Sequence, residues 1–185
     1  MHIVLIGYRG CGKSAVGRHL ADRLQVPFYD TDALVEQLAG KCIRTIVEEK
    51  GWPHFRRIES EVIRKLALLQ DGVIATGGGA VLDETNCRIL KAHGLVIWLA
   101  ADMRTMIHRM RGDAMSKERR PPLTHSDSRR EAEELLEQRT TIYRRLADTC
   151  IDTTGKSIDE IAREVSQFFE KTVLSKREAT CREIP

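Results

Sequence analysis

Gly7-Tyr8-Arg9-Gly10-Cys11-Gly12-Lys13-Ser14 fits the pattern G-x-x-x-x-G-K-[ST]. Each residue type in it has a physical purpose. Glycines let the backbone curl so that successive N–H groups point at phosphate oxygens. The N-terminus of a following helix adds its partial positive charge. In such a loop the lysine neutralises the β and γ phosphates of a nucleoside triphosphate, and the hydroxyl ligates Mg²⁺. Gly7, Gly10, Cys11, Gly12, Lys13, Ser14 and Ala15 are therefore the expected nucleotide contacts, with Ser14 on the metal. A plain glycine turn would leave Lys13-Ser14 unexplained.

Phe28-Tyr29-Asp30-Thr31-Asp32 supplies two carboxylates. At the carboxyl end of a parallel strand they would face the ligand crevice, and in extended chain they would share a face. One could hold the metal's water shell while the other accepts the proton of an attacking hydroxyl. A helix cap at Asp32 would explain one aspartate and not both. In Phe55-Arg56-Arg57-Ile58-Glu59 the spacing lets Arg56 and Glu59 pair on one helix face. This is either a surface ion pair or an arginine fork for a substrate carboxylate, oriented by the acid. Thr76-Gly77-Gly78-Gly79-Ala80 follows an apolar run. Three glycines are entropically costly; they fit a backbone that approaches a ligand closely, or else a flexible loop. Arg119-Arg120-Pro121-Pro122-Leu123 lies in a basic, irregular stretch. It reads as solvated surface or as a lid whose arginine reaches a transferring phosphate. Arg139, by spacing alone, is an ordinary helix arginine.

The elements that must position these residues alternate. Strands are predicted at His2–Ile6, Pro27–Tyr29, Val73–Ala75, Leu95–Leu99 and Cys150–Asp152. Val4-Leu5-Ile6 and Val96-Ile97-Trp98-Leu99 are continuous apolar runs, as in strands covered on both faces. Helices are predicted at Lys13–Leu24, Asp32–Leu38, Ile43–Lys50, His54–Leu69, Thr85–His93, Asp102–Met110, Ser128–Leu146 and Ser157–Lys171. The last has Ile158, Ile161, Val165 and Phe168 on one stripe. Alternation of this kind predicts an α/β fold, a parallel sheet with helices on both faces.

With 185 residues the chain is long enough for one domain with a real core. We read 1–172 as that domain and 173–185 as a flexible tail. A net charge of +3 gives no case for nucleic acid but suits anionic ligands. The five cysteines, widely spaced and without a CxxC, suggest neither a disulfide framework nor a zinc site. A reduced, cytoplasmic setting is expected, without a membrane partner, since no apolar run approaches the ~18 residues that span a bilayer.

In the order GYRGCGKS, FYDTD, FRRIE, TGGGAV, RPPLT and QRTTIYRR, the chain resembles the shikimate kinase family, of the nucleoside-monophosphate-kinase-like branch of P-loop proteins. The resemblance spans about residues 1–170. It implies a five-stranded parallel sheet of order 2-3-1-4-5 in a three-layer architecture. It implies ATP-dependent phosphorylation of the 3-hydroxyl of shikimate, with Mg²⁺, in chorismate biosynthesis, by a monomer. Carried over, Lys13 and Ser14 serve phosphate and Mg²⁺, and Asp30 organises the metal's waters. Asp32 holds the shikimate hydroxyls and is the candidate base. Arg56 and Arg139 bind the shikimate carboxylate, and Gly77, Gly78 and Gly79 line the acceptor site. Arg120, in a lid over about 112–127, reaches ATP and substrate, and Arg109 flanks the adenine. Lys156 falls in the adenine loop Asp152–Ser157, and about 32–70 forms the shikimate-binding region. The rival readings are a gluconate-kinase-like enzyme and a kinase-like sensing module that binds shikimate without turnover.

Overall fold

The predicted apolar runs become five parallel strands in the computed structural model, which describes residues 1–112 and 129–182. They are β1 (His2–Ile6), β2 (Phe28–Asp30), β3 (Val73–Ala75), β4 (Gly94–Ala100) and β5 (Thr149–Asp152). The order is β2-β3-β1-β4-β5, as the resemblance implied. Central β1 sits in register between two apolar neighbours: Val4 pairs with Ile74 on one side and Val96 on the other. Covered on both faces, Val4, Leu5 and Ile6 are buried, which is why the run carries no alternating polar residues.

Seven helices are described: α1 (Lys13–Leu24), α2 (Thr31–Ala39), α3 (Ile43–Leu66), α4 (Glu84–His93), α5 (Met103–Gly112), α6 (Arg129–Leu146) and α7 (Ile158–Arg182). Strand order assigns their layers, because parallel crossovers are right-handed. The β1-to-β2 connection runs one way across the sheet and all later ones run the other, so α1 lies opposite α4 and α6. Accordingly α1 packs on β1, β2, β3 and α7, while α4 and α6 pack on β4. All five strands point their carboxyl ends the same way, and the candidate residues cluster there.

Several boundaries differ from expectation, each for a physical reason. β2 extends to Asp30, which pairs with Ala75, and α2 begins at the next residue. Asp32 is therefore in a helical first turn, not on an extended face shared with Asp30. Within α3, Gly51 has φ 77 and ψ 167; this left-handed break, followed by Pro53, separates the two helices that the sequence predicts. In α7, Ile161 and Val165 are buried as the stripe requires, but Ile158 is 45% exposed. The helix also runs on to Arg182, into the segment read as a tail. No Gly or Pro interrupts the sequence between Lys171 and Pro185, so nothing local stops it. Among the described residues, no helix is long and apolar enough to cross a membrane.

Leu5, fully buried in the central strand, gives a check on this core. Leu5→Ala should lose about 2–5 kcal/mol of stability, read as a lower urea midpoint at unchanged slope.

Candidate active site

The turn from β1 into α1 needs glycine at three places. Gly7, Gly10 and Gly12 have φ of 140, 81 and 100, a region that side chains with a Cβ avoid. Crowding adds a second reason at Gly10, where a Cβ would lie 2.6 Å from the Met106 carbonyl oxygen. Gly12 precedes α1 without a side-chain cap, so the positive end of the helix is left for an anion. Lys13 is 8% exposed, and its Nζ donates to the Gly7 and Tyr8 carbonyls, each at 2.8 Å. The ammonium is thereby held inside the curl of the loop. Cys11 contributes no exposed side chain: it is buried, and its N–H donates to the Tyr8 carbonyl at 3.4 Å. Ala15 is exposed at the helix start.

Ser14 Oγ donates to Asp30 Oδ2 at 2.6 Å. Asp30 Oδ1 accepts from the Asp32 and Ala33 N–H groups, capping α2. The cap is thus Asp30 and not Asp32, because Asp30 is the residue with extended φ/ψ immediately before the helix. Capping and contact with Ser14 use different oxygens of one carboxylate. Asp32, which does not cap the helix, lines a cleft together with Arg56 and Glu59.

This cleft of about 530 Å³ joins the phosphate loop to these residues. It brings Lys13, Ser14, Asp32, Arg56, the three glycines 77–79 and Arg139 onto one surface. Arg56 donates to Glu59 Oε2 at 2.5 Å. Its guanidinium carbon lies 5.5 Å from the Trp52 ring centroid and 5.0 Å from that of Phe55. The pair is not the surface ion pair that spacing permits, because Glu59 is 0% exposed. Burial pushes the Glu59 carboxyl above its ordinary value of 4.5; Arg56 pulls it back, and Asp32 adds to the rise. Its Oε1 has no hydrogen-bond partner among the described residues.

Two of the three consecutive glycines have a steric cause. A Cβ on Gly77 would lie 2.6 Å from Asp32 Oδ1 and 2.7 Å from Glu59 Oε1, and one on Gly79 would overlap the Arg56 guanidinium. None of the three needs a positive φ. Gly77 and Gly79 let functional side chains approach the turn after β3, a different requirement from ligand approach. Gly78 serves through its carbonyl, which accepts from Tyr143 Oη at 2.6 Å and Arg139 Nη1 at 3.4 Å. Arg139 is 8% exposed and projects from α6 into the cleft, which its spacing did not reveal.

Beside the phosphate loop, Arg109 of α5 donates to Thr153 Oγ1 at 3.0 Å and to the Thr153 carbonyl at 2.8 Å. Thr153 Oγ1 in turn donates to the Cys11 carbonyl at 3.1 Å, tying the loop after β5 to the phosphate loop. Lys156 lines the cleft, and its ammonium pairs with Glu164 at 2.7 Å. Arg120 and residues 113–127 of the stretch read as a lid lie outside the described residues. Sequence reasoning missed Trp52, Tyr8, Tyr143 and Thr153. Trp52 left one signal, an aromatic placed one helical turn before an arginine; the other three lie within motifs the sequence already marked, but their partners Arg139, Gly78 and Cys11 are set by tertiary contacts.

A phosphate loop after the central strand of a 2-3-1-4-5 sheet, facing a cleft of arginines and carboxylates, defines the class of P-loop kinases. A family profile described as Shikimate kinase matches residues 9–170, and the chain belongs to the shikimate kinase family. The shikimate kinase of Syntrophus aciditrophicus (strain SB) is 44% identical over 177 residues, 91% of each chain. That of Symbiobacterium thermophilum is 42% identical over 171 residues, 92% of this chain and 97% of the relative. Among solved structures, a shikimate kinase from Acinetobacter baumannii in complex with shikimate matches with a TM-score of 0.86 at 32% identity, covering 92% of this chain and 93% of that one. A gluconokinase from Sinorhizobium meliloti 1021 matches at a TM-score of 0.59 and 19% identity, covering 94% and 96%, a likeness of fold alone.

The Glu59 environment fixes a pH dependence. A carboxyl that holds its proton to higher pH when folded contributes stability that is present below its ordinary value and is lost as pH rises through the raised one. As pH rises above 4.5, the Tm of the wild type should therefore fall relative to that of Glu59→Gln. Parallel Tm profiles would show that the folded carboxyl is not shifted.

Proposed function

We propose that this chain transfers the γ-phosphoryl group of ATP to the 3-hydroxyl of shikimate, giving shikimate 3-phosphate and ADP. The observation that carries this reading is the single cleft that faces Lys13 and Ser14 toward Asp32, Arg56 and Arg139. One side suits a chain of phosphates. The other suits a small acid with hydroxyls, because it offers two buried or half-buried guanidinium groups and a carboxylate.

In this reading Arg56 and Arg139 grip the acceptor's carboxylate. Glu59 fixes the Arg56 fork by accepting from Nη1, and Asp32 receives the acceptor hydroxyl. Held so, the hydroxyl oxygen lies in line with the γ-phosphorus, and positioning supplies much of the catalysis. The oxygen–phosphorus bond forms as the bond to the β–γ bridging oxygen breaks, and Asp32 takes the proton. Lys13 neutralises charge on the phosphates. Gly10, Gly12 and Ala15 would present backbone to the phosphates, and Arg109 and Lys156 would flank the base.

The residues fit Mg²⁺. Ser14 Oγ and Asp30 Oδ2, 2.6 Å apart, are two hard oxygens, and Mg²⁺ takes few protein ligands beside water and phosphate. Ser14 would hold the ion and Asp30 its waters; the bound ion would neutralise phosphate charge. Arg120 would add a cation from the lid at about 112–127, and the acceptor region would span about 32–70.

ADP release with and without shikimate tests the reading, with gluconate as a comparison. Lys13→Ala should lose at least about a hundredfold in kcat. Arg139→Ala should mainly raise the KM for shikimate, by roughly ten- to a hundredfold. An unchanged KM would remove Arg139 from the acceptor site, and release stimulated by gluconate but not shikimate would replace the acceptor.

A further inference from the structure

Arg56 and Arg139 are held in different ways. Arg56 is paired with the Glu59 carboxylate and also lies over Trp52 and Phe55. Arg139 has no ion pair with a carboxylate among the described residues; its guanidinium carbon lies 5.5 Å from the Tyr8 ring centroid, and one edge donates to the Gly78 carbonyl at 3.4 Å. The Gly78 bond is long. The shorter bond to that carbonyl comes from Tyr143 Oη at 2.6 Å. The Tyr8 ring is thus the aromatic face over which the Arg139 guanidinium lies.

Tyr8 itself is 1% exposed, and its hydroxyl has no hydrogen-bond partner among the described residues. A buried hydroxyl without a partner costs stability, so no hydrogen bond accounts for where this side chain lies. Its π face is the part in use. An aromatic face attracts a guanidinium without cancelling its charge. A carboxylate in the same place would also orient the arginine but would offset part of its charge, as Glu59 does for Arg56.

We propose that Tyr8 is a positioning residue for the acceptor: its ring seats the Arg139 guanidinium in the cleft and leaves its charge available to the acceptor's carboxylate. The phosphate loop then serves both substrates. The Tyr8 carbonyl accepts from Lys13 Nζ at 2.8 Å, while the Tyr8 ring supports the arginine of the acceptor side. This rests on the reading of Arg139 as an acceptor ligand.

Steady-state ADP release, with shikimate and ATP varied separately, tests the proposal in the full chain. Tyr8→Leu should raise the KM for shikimate about five- to twentyfold, with the KM for ATP changed less than about twofold. Tyr8→Phe keeps the ring and should restore the wild-type KM for shikimate. Tyr8→Met fills similar space without a π face and should behave as Tyr8→Leu does, which keeps the test open if the leucine variant fails to fold. In an Arg139→Ala background, Tyr8→Leu should add little further loss. An unchanged KM for shikimate in both Tyr8→Leu and Tyr8→Met overturns the proposal. So does an equal rise in both KM values, the sign of a distorted phosphate loop, or a fully additive loss in the double variant. Wild-type protein that releases no ADP in response to shikimate would instead overturn the function on which the proposal rests.

Discussion

The uncapped N-terminus of α1 at the carboxyl end of the central strand is the constraint on which the site depends. A helix start without a side-chain cap leaves backbone N–H groups and a partial positive charge unsatisfied. Three left-handed glycines deliver the chain to that point, and Lys13 is folded into the resulting curl. The sheet determines what this end faces. With β1 central, the ends of β2 and β3 bring Asp30, Asp32 and the glycine turn to one side, while β4 and β5 bring Arg109 and Thr153 to the other.

Charge around the turn after β3 is arranged by burial as much as by residue type. Arg56, Arg139, Asp32 and Glu59 crowd around a turn that only glycine permits. Glu59 is fully buried, and its ion pair fixes one arginine at the cost of desolvating a carboxylate. The second arginine rests on an aromatic ring. Two guanidinium groups in one cleft are thus oriented by two different interactions, one neutralising and one not.

Legibility followed the range of the physics involved. The phosphate loop was readable because its requirements are local: strand, glycines, lysine, hydroxyl and helix follow one another directly. The Arg56–Glu59 pair was readable as geometry, since helical spacing makes them neighbours, but not as a buried pair. The cap after β2 falls on Asp30, where the sequence offered Asp32 as the capping alternative, because the helix starts one residue earlier than its pattern suggests. The glycines were rightly singled out as a place of close approach, yet what approaches is Arg56, Asp32 and Glu59, and only the packed structure holds those side chains there.

The chain's sequence by itself determined the alternation of strand and helix, the phosphate chemistry of residues 7–14, and the residue types available to an acid-bearing acceptor. Those follow from short-range periodicity, from glycine's freedom in φ and from motifs whose parts are contiguous. Tertiary structure decided which arginines meet. Arg139 lies on a helix whose spacing says nothing of function, and Tyr8 occupies a position that the loop's motif leaves unspecified. They touch because α6 packs beside β4, the direct neighbour of β1, and no local pattern encodes a contact made across the sheet.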